Sequence, residues 1–498
     1  MERQQTGAVL LDSKTQESMN PEQTHEQSPH VVILGAGPAG VGAAYELTRN
    51  SFTHVTVLEQ RDTVGGNAGS FQLDGVWVDY GSHRLHPACD PAILKNLREL
   101  LGDDLLDRPR HGRIRLQNRW IHFPLKPGDL LMRLPKSFAA GVTFDLIRKH
   151  LGGSNGHVES FASVLERSLG STICREFYFP YARKLWGLPP EELASAQAHR
   201  RVSGNSVSKI LRKVANAVPG LKKPGAGRFF YPRRGYGQIS QRICDAAKTA
   251  GAEFVFGARV LAVERDGDRV TAVRYERDGK ESAIATRNVW STLPVNLLAR
   301  SMSPEPPQEI LEAGKNISFR GMILIYLTLE QDQFTEYDAH YFPEESIPVS
   351  RLSEPKNYSN SIEPRGSTVL CAELPADPGS REWDMSDQAL GDLLRGWLEQ
   401  AGLPVRSKVR RVTTRKLRQA YPIYRRGYEE QFAKVDQWLG KLEGLLSFGR
   451  QGLFVHDNTH HAFYMARAAA DCLQPDGGLD RSLWAQYREI FETHVVED

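Results

Sequence analysis

About thirty residues into the chain, a short apolar run leads directly into a glycine turn. Val31 to Leu34 reads as a buried strand. Gly35, Gly37 and Gly40 follow as G-x-G-x-x-G, with Pro38 and Ala39 inside the turn and the helix formers Val41 to Leu47 after it. The first glycine permits a tight turn, the second a close backbone approach, and the third close packing of helix on strand. A helix start of this kind offers amide groups and a favourable dipole to phosphates. A second apolar strand, His54 to Leu58, ends at Glu59 and Gln60, where a carboxylate can bind ribose hydroxyls. A lone glycine turn is weak evidence, but here strand, turn, helix, second strand and acid occur in the order that dinucleotide binding requires.

Gly65 and Gly66, with Asn67 to Ser70, come directly after the acid. They let the backbone fold over the same pyrophosphate from the other side. This arrangement resembles the FAD-binding signature of the amine oxidase, protoporphyrinogen oxidase and UDP-galactopyranose mutase superfamily, and implies FAD rather than NAD. The resemblance continues along the chain. Gly65-Gly66-Asn67-Ala68 is similar to the GGNA of the mutases, and Tyr181 to Gly187 with Pro190 and Glu192–Leu193 resembles a Y-x-x-K-x-W-G-x-x-P-x-E-L region. Ala420 to Ile423 and Gly449 to Gly452 also match, so the likeness covers most of residues 30 to 475.

The resemblance implies an α/β protein with a Rossmann-like FAD-binding domain interleaved with an α+β substrate domain. The expected division is a disordered tail at 1–29, a discontinuous FAD-binding domain at 30–110, 229–296 and 440–480, and a substrate domain at 111–228 and 297–439. It also implies further cofactor contacts. These are Val260, through its backbone to adenine or else only as a sheet-core valine, then Gly449 and Arg450, and a closing segment containing His460, His461 and Ala462. In a related flavoenzyme the segment with His83, Arg84 and His86 passes near the flavin ring. Histidine exchanges protons near neutral pH and arginine holds anions, so these three are the catalytic candidates. Histidines beside a glycine turn, here Gly81, also serve as plain structure. Tyr181, Trp186, Tyr421 and Arg425 are candidates for a substrate cleft, with core packing the alternative for Trp186.

The sequence departs from the mutase pattern at Phe454 and Val455, where the mutases usually carry Tyr and Arg, and at His460–His461, where their closing motif carries an acid. This favours an oxidoreductase of the protoporphyrinogen oxidase or amine oxidase type. Two alternatives are a redox-neutral UDP-sugar mutase using reduced FAD and a non-catalytic flavin-stabilised binding protein. No metal-ligand spacing stands out.

The net charge of +3 is unevenly distributed. Leu193 to Cys244 carries 11 Lys or Arg and no acid, and Arg108 to Gly128 is a second acid-free run. Such runs form a solvated face, or attract an anionic small-molecule substrate or a lipid surface at a peripheral membrane contact. Nucleic acid is not expected, because no binding module accompanies the charge. With no apolar run near the roughly 20 residues of a spanning helix, no hydrophobic leader, and five scattered cysteines, the expected setting is cytoplasmic.

In the coarse reading, Arg113–Pro124 is a hairpin turning near Gln117–Asn118, Glu253–Val263 is one strand, and residues 204 to 228 are a loop. Met322–Leu329, Thr368–Leu374 and Val409–Leu417 are expected to share a sheet.

Overall fold

The structure is a computed structural model that describes residues 29–49, 53–124, 133–150, 159–201 and 227–496. Residues 1–28 of the expected tail, the glycine breaker at 152–156 and nearly all of the expected 204–228 loop lie outside the described residues.

The strand His30–Leu34 is the middle of a five-stranded parallel sheet, ordered 445–447, 288–291, 30–34, 54–59 and 253–256. Both of its faces are buried. Val31, Ile33, Val55 and Val57 pack into one apolar cluster, while Val32, Leu34 and Leu58 pack into another. That is the reason these strands read as unbroken apolar runs rather than as alternating ones. Helix Pro38–Thr48 packs on the first of these faces, between helices Gln238–Thr249 and Thr459–Asp471.

A seven-stranded mixed sheet is built around Phe319–Leu329, with Val409–Pro422 on one side and Thr368–Pro375 on the other. Successive side chains of a strand point to opposite faces. Ile323, Ile325, Leu327 and Leu329 accordingly meet helix Asp387–Gln400 through Leu390, Leu394 and Leu398. Met322, Leu324 and Tyr326 meet helices Phe161–Leu169 and Phe179–Trp186. The expected hairpin forms the far edge of this sheet, Gly112–Leu116 against Arg119–Phe123. Its turn residues Gln117 and Asn118 have φ of 49° and 60°.

The fold is therefore α/β, with a Rossmann-like parallel sheet beside a mixed substrate-type sheet. Among the described residues no helix is long and apolar enough to cross a membrane. The chain departs from the sequence reading at Glu253–Val263. Gly257, at φ +67°, breaks that run into Glu253–Phe256 in the parallel sheet and Arg259–Asp266 in a separate four-stranded sheet. The break makes the corner at Ala258 to Leu261 that reaches the cavity described below.

Several described arginines of the acid-free basic runs are paired. They recruit acids and carbonyls from distant segments: Arg115 pairs with Glu344, Arg228 with Asp107, and Arg200 with Glu492. Arg113 lies between the rings of Trp120 and Tyr337, at 4.2 and 4.5 Å. Of the Arg108–Gly128 run, Arg110 reaches the cavity.

Candidate active site

A cavity of about 870 Å³ runs from the glycine turn to the mixed sheet. Its first end is made largely of backbone. Gly35 holds φ +98°, and a Cβ there would lie 2.6 Å from Thr292 Oγ1. A Cβ on Gly40 would fall 1.9 Å from the carbonyl oxygen of Gly35, so this glycine is fixed by helix–strand packing. Gly37 is different. It caps helix Pro38–Thr48 with ordinary extended backbone, offers no side-chain cap, and a Cβ there would meet nothing within 4 Å. A helix start leaves its first amides without intrahelical acceptors. Here they open onto space that a side chain at Gly37 would enter. Gly66, at φ +53°, stacks over this point, its added Cβ 3.3 Å from the Cα of Gly37.

Glu59 is buried beside this turn. Its Oε2 accepts the amide of Ala36 at 2.7 Å and its Oε1 accepts that of Arg61 at 2.9 Å. Two amides fix the carboxylate, and each oxygen keeps a lone pair for a hydroxyl. Gln60, Val260, Pro38 and Ala39 also line this end. The residues suit the pyrophosphate and ribose of a dinucleotide cofactor, since the open cradle over Gly37 and the oriented carboxylate sit in one cavity.

The long strand Val409–Pro422 carries the wall onward. Asn67 Nδ2 and Gln451 Nε2 both donate to the carbonyl of Gln419, at 3.1 and 3.0 Å. Arg450 donates to the carbonyl of Ala420 at 3.3 Å and stacks 5.1 Å from the ring of Tyr421. Helix Thr459–Asp471 points its first turn at the cavity through Asn458, Thr459 and Ala462.

The second end is built of side chains. His83 Nε2 donates to the carbonyl of Tyr80 at 3.0 Å, and its ring stacks on Tyr236 at 5.4 Å. A carbonyl only accepts, so Nε2 carries the hydrogen and Nδ1 is the acceptor nitrogen. Burial lowers the basicity of this imidazole, against the pull of Asp79. Arg84 donates to the hydroxyls of Tyr341 and Tyr358, at 2.9 and 3.1 Å, and to Asp338 at 3.2 Å. Arg351 grips Glu373 with both Nε and Nη2, at 3.0 and 2.9 Å, and Glu373 also accepts the amide of Ser82 at 2.7 Å. Tyr181, Tyr341, Ser350 and Tyr421 complete this end.

Several candidates lie outside the lining. His86 Nδ1 accepts the amide of Ala88 at 3.1 Å. Gly449 packs behind the turn, an added Cβ being 2.8 Å from that of Ala39. Trp186 is buried edge-on against Phe161 at 5.6 Å, and Arg425 is an exposed partner of Glu192. His461 Nδ1 accepts the amide of Asn458 at 3.2 Å, closing a capping box at the helix start. Burial holds His460 and His461 down to about 3.

Among the described residues, Asp457, His461 and His494 bring ligand-type atoms within 4.8 Å of one another. His494 Nδ1 already bonds Asp457 at 2.8 Å, and Arg200 lies 3.8 Å from the other carboxylate oxygen. Asp457 thus has one imidazole hydrogen-bonded to it and a guanidinium beside it. The five cysteines are buried without disulfides, and burial pushes Cys89, Cys174 and Cys472 up to about 12.

Sequence spacing carries no site signal for Tyr341, Ser350, Arg351 or Glu373. Each is isolated among ordinary strand residues, and only the pairing of Ala339–Tyr341, Arg351–Ser353 and Thr368–Pro375 brings them together. Phe454 and Val455, the departures from the mutase motif, are buried, with Phe454 packed edge-on against Phe319 at 5.0 Å.

Known proteins place this geometry in context. The chain is 26% identical over 431 residues to a phytoene dehydrogenase of Streptomyces griseus, covering 75% of this chain and 79% of that one. It is 29% identical over 293 residues to the chloroplastic protoporphyrinogen oxidase of Nicotiana tabacum, covering 55% of this chain and 52% of that one. Among solved structures, reduced UDP-galactopyranose mutase superposes with a TM-score of 0.77 over 94% of this chain and 96% of that one, at 21% identity, a likeness of fold. The pattern that defines the flavin containing amine oxidoreductases matches residues 38–455. The chain belongs to the flavin containing amine oxidoreductase family.

Proposed function

We propose that this protein is an FAD-dependent oxidoreductase that oxidises a small anionic organic molecule in the cavity. The observation that carries the proposal is the continuity of that cavity. One lining joins the open turn at Gly37 and the oriented Glu59 to a polar end bearing His83, Arg84, Tyr341 and Arg351. In this reading Gly35 to Gly40, Glu59, Gly66, Asn67, Val260 and Arg450 hold FAD, and the discontinuous segments 30–110, 229–296 and 440–480 form its domain. Bound flavin supplies an electron acceptor for a hydride leaving a substrate C–H bond.

The protein's own part is orientation, charge and protons. His83 presents an acceptor nitrogen at Nδ1, suited to take a proton from substrate. Arg84 and Arg351 are held in place by carboxylates and phenols, so they orient an anion without rearranging. The lining carries nine Lys or Arg against three Asp or Glu, an excess larger than one pyrophosphate neutralises. That surplus favours an anionic substrate. Tyr181 and Tyr421 supply aromatic faces for its body. The burial of Phe454 and Val455 counts against the mutase reading, because neither can reach a sugar diphosphate.

The test is anaerobic mixing of the yellow protein with candidate carboxylated or phosphorylated donors, followed by flavin absorbance. Bleaching with stoichiometric oxidation of the donor to product, weakened by added salt, is the expected result. Isomerised sugar nucleotide without net electron transfer would establish the mutase reading instead.

A further inference from the structure

Lys184 stands one residue before the cavity wall and takes no part in the lining. Its helix, Phe179–Trp186, presents Tyr181 and Leu185 to the cavity, and positions three and four residues apart share a helix face. The ammonium is turned the other way, into the segment that joins strand Ala339–Tyr341 to strand Arg351–Ser353. There Nζ donates to the carbonyls of Phe342, Ile347 and Val349 at 2.5, 2.6 and 3.3 Å. All three acceptor residues are fully buried. An ammonium has three donors and no acceptor, so three carbonyls use it completely.

The connection bracketed by these bonds begins after Tyr341 and ends before Arg351, the two residues that face Arg84 and Glu373. Its ends are joined by the amide of Phe342 to the carbonyl of Ser350 at 3.0 Å, and the amide of Ser350 is tied to the carbonyl of Glu373 on the neighbouring strand at 2.8 Å. The acids beside it are shared: Glu344 also pairs with Arg115, and Glu345 with Arg183 of the same helix at 2.8 Å. Both pull up the basicity of Lys184, which burial lowers to about 7.

We propose that Lys184 is the positioning residue of the substrate end, fastening the helix that carries Tyr181 and Leu185 to the loop whose two ends carry Tyr341 and Arg351. One cation thereby sets the distance between two walls supplied by segments some 160 residues apart in the chain, as the sequence separation of 158 for its bond to Phe342 records. A hydrophobic residue of similar length would fill the space and leave three buried carbonyls without a donor. The proposal rests on reading this end as the substrate site, and its test uses neither substrate nor flavin chemistry, so the two fail separately.

The experiment is hydrogen exchange on the full-length holoprotein, read on peptides covering 341–351 and 179–187. Lys184→Met should speed exchange of the Phe342 and Ser350 amides by about tenfold or more, while the parallel-sheet strands keep their protection. Lys184→Arg, which keeps a cation with several donors, should return to within about threefold of wild type. Unchanged exchange in the methionine variant overturns the proposal, as does failure of a folded arginine variant to restore protection. If the methionine variant does not fold, Lys184→Gln, with two donors, should speed exchange of the Phe342 and Ser350 amides by more than about threefold, and equality with wild type would contradict the assignment.

Discussion

The two ends of the cavity are made of different material. The turn end is mainly backbone from one stretch of about thirty residues, Gly35 to Gly66, with glycines chosen for what they leave out. The far end is side chain, drawn from Ser82, Arg84, Tyr181, Tyr341, Arg351 and Glu373, and held by ion pairs between distant segments. A backbone site tolerates little change in residue size at a few positions. A side-chain site can be lost one hydrogen bond at a time. The first kind suits a ligand common to a whole family, and the second suits a substrate that varies within it.

The largest effect should come from the turn. Gly40→Val places carbon against the carbonyl of Gly35, where the gap for even a Cβ is 1.9 Å. The helix cannot approach the strand, and no folded protein should be recovered, as read by circular dichroism and gel filtration. Recovery of native protein with bound flavin would remove the packing argument.

At the far end, Arg351→Ala leaves Glu373 buried without its bidentate partner. Breaking such a pair costs about 3–5 kcal/mol. The double variant Arg351→Met with Glu373→Leu should recover much of that stability in denaturant unfolding, yet not the catalytic efficiency. Equal stability of the single and double variants would show that the pair is not electrostatically coupled.

Acid should weaken the fold through its buried histidines. Burial holds His340, His460 and His461 down to about 3, against an ordinary value of 6.5. Between those values the unfolded chain binds protons that the folded chain refuses. The stabilising contribution is complete above about pH 6.5 and is lost as pH falls through the window towards about 3. Each histidine accounts for a slope of about 1.4 kcal/mol per pH unit at most. His340→Gln should flatten the decline in melting temperature between pH 6.5 and 5, and an unaltered slope would contradict its neutral burial.

The smallest effect is expected at Arg425. Its side chain is 65% exposed and pairs with Glu192 at the surface. Arg425→Ala should change stability by about 0.5 kcal/mol or less and leave turnover intact. A large rise in the Michaelis constant would bring this residue back to the substrate.

The same contrast explains what the sequence made legible. Strand, turn, helix and acid are contiguous between His30 and Glu59, so their spacing could be read directly. The hairpin at Gln117–Asn118 was equally local. Glu253–Val263 was not, because one glycine at Gly257 sends an apolar run into two sheets. The partners of the basic runs are not legible for a related reason. Arg115 meets Glu344 across 229 residues, a pairing no local count of charge reveals. Tyr341, Arg351 and Glu373 are not legible in the sequence because their juxtaposition lies in strand order.

The central claim is that the open cradle at Gly37 holds the cofactor. Gly37 has φ −68° and ψ 178°, which any residue adopts, and an added Cβ meets no protein atom within 4 Å. Gly37→Val should therefore fold, with the parallel-sheet amides protected from exchange as in wild-type apoprotein. Its flavin-to-protein ratio after identical purification should fall by about tenfold or more, equivalent to about 1.4 kcal/mol of lost binding. A folded Gly37→Val protein carrying as much FAD as the wild type would contradict the account.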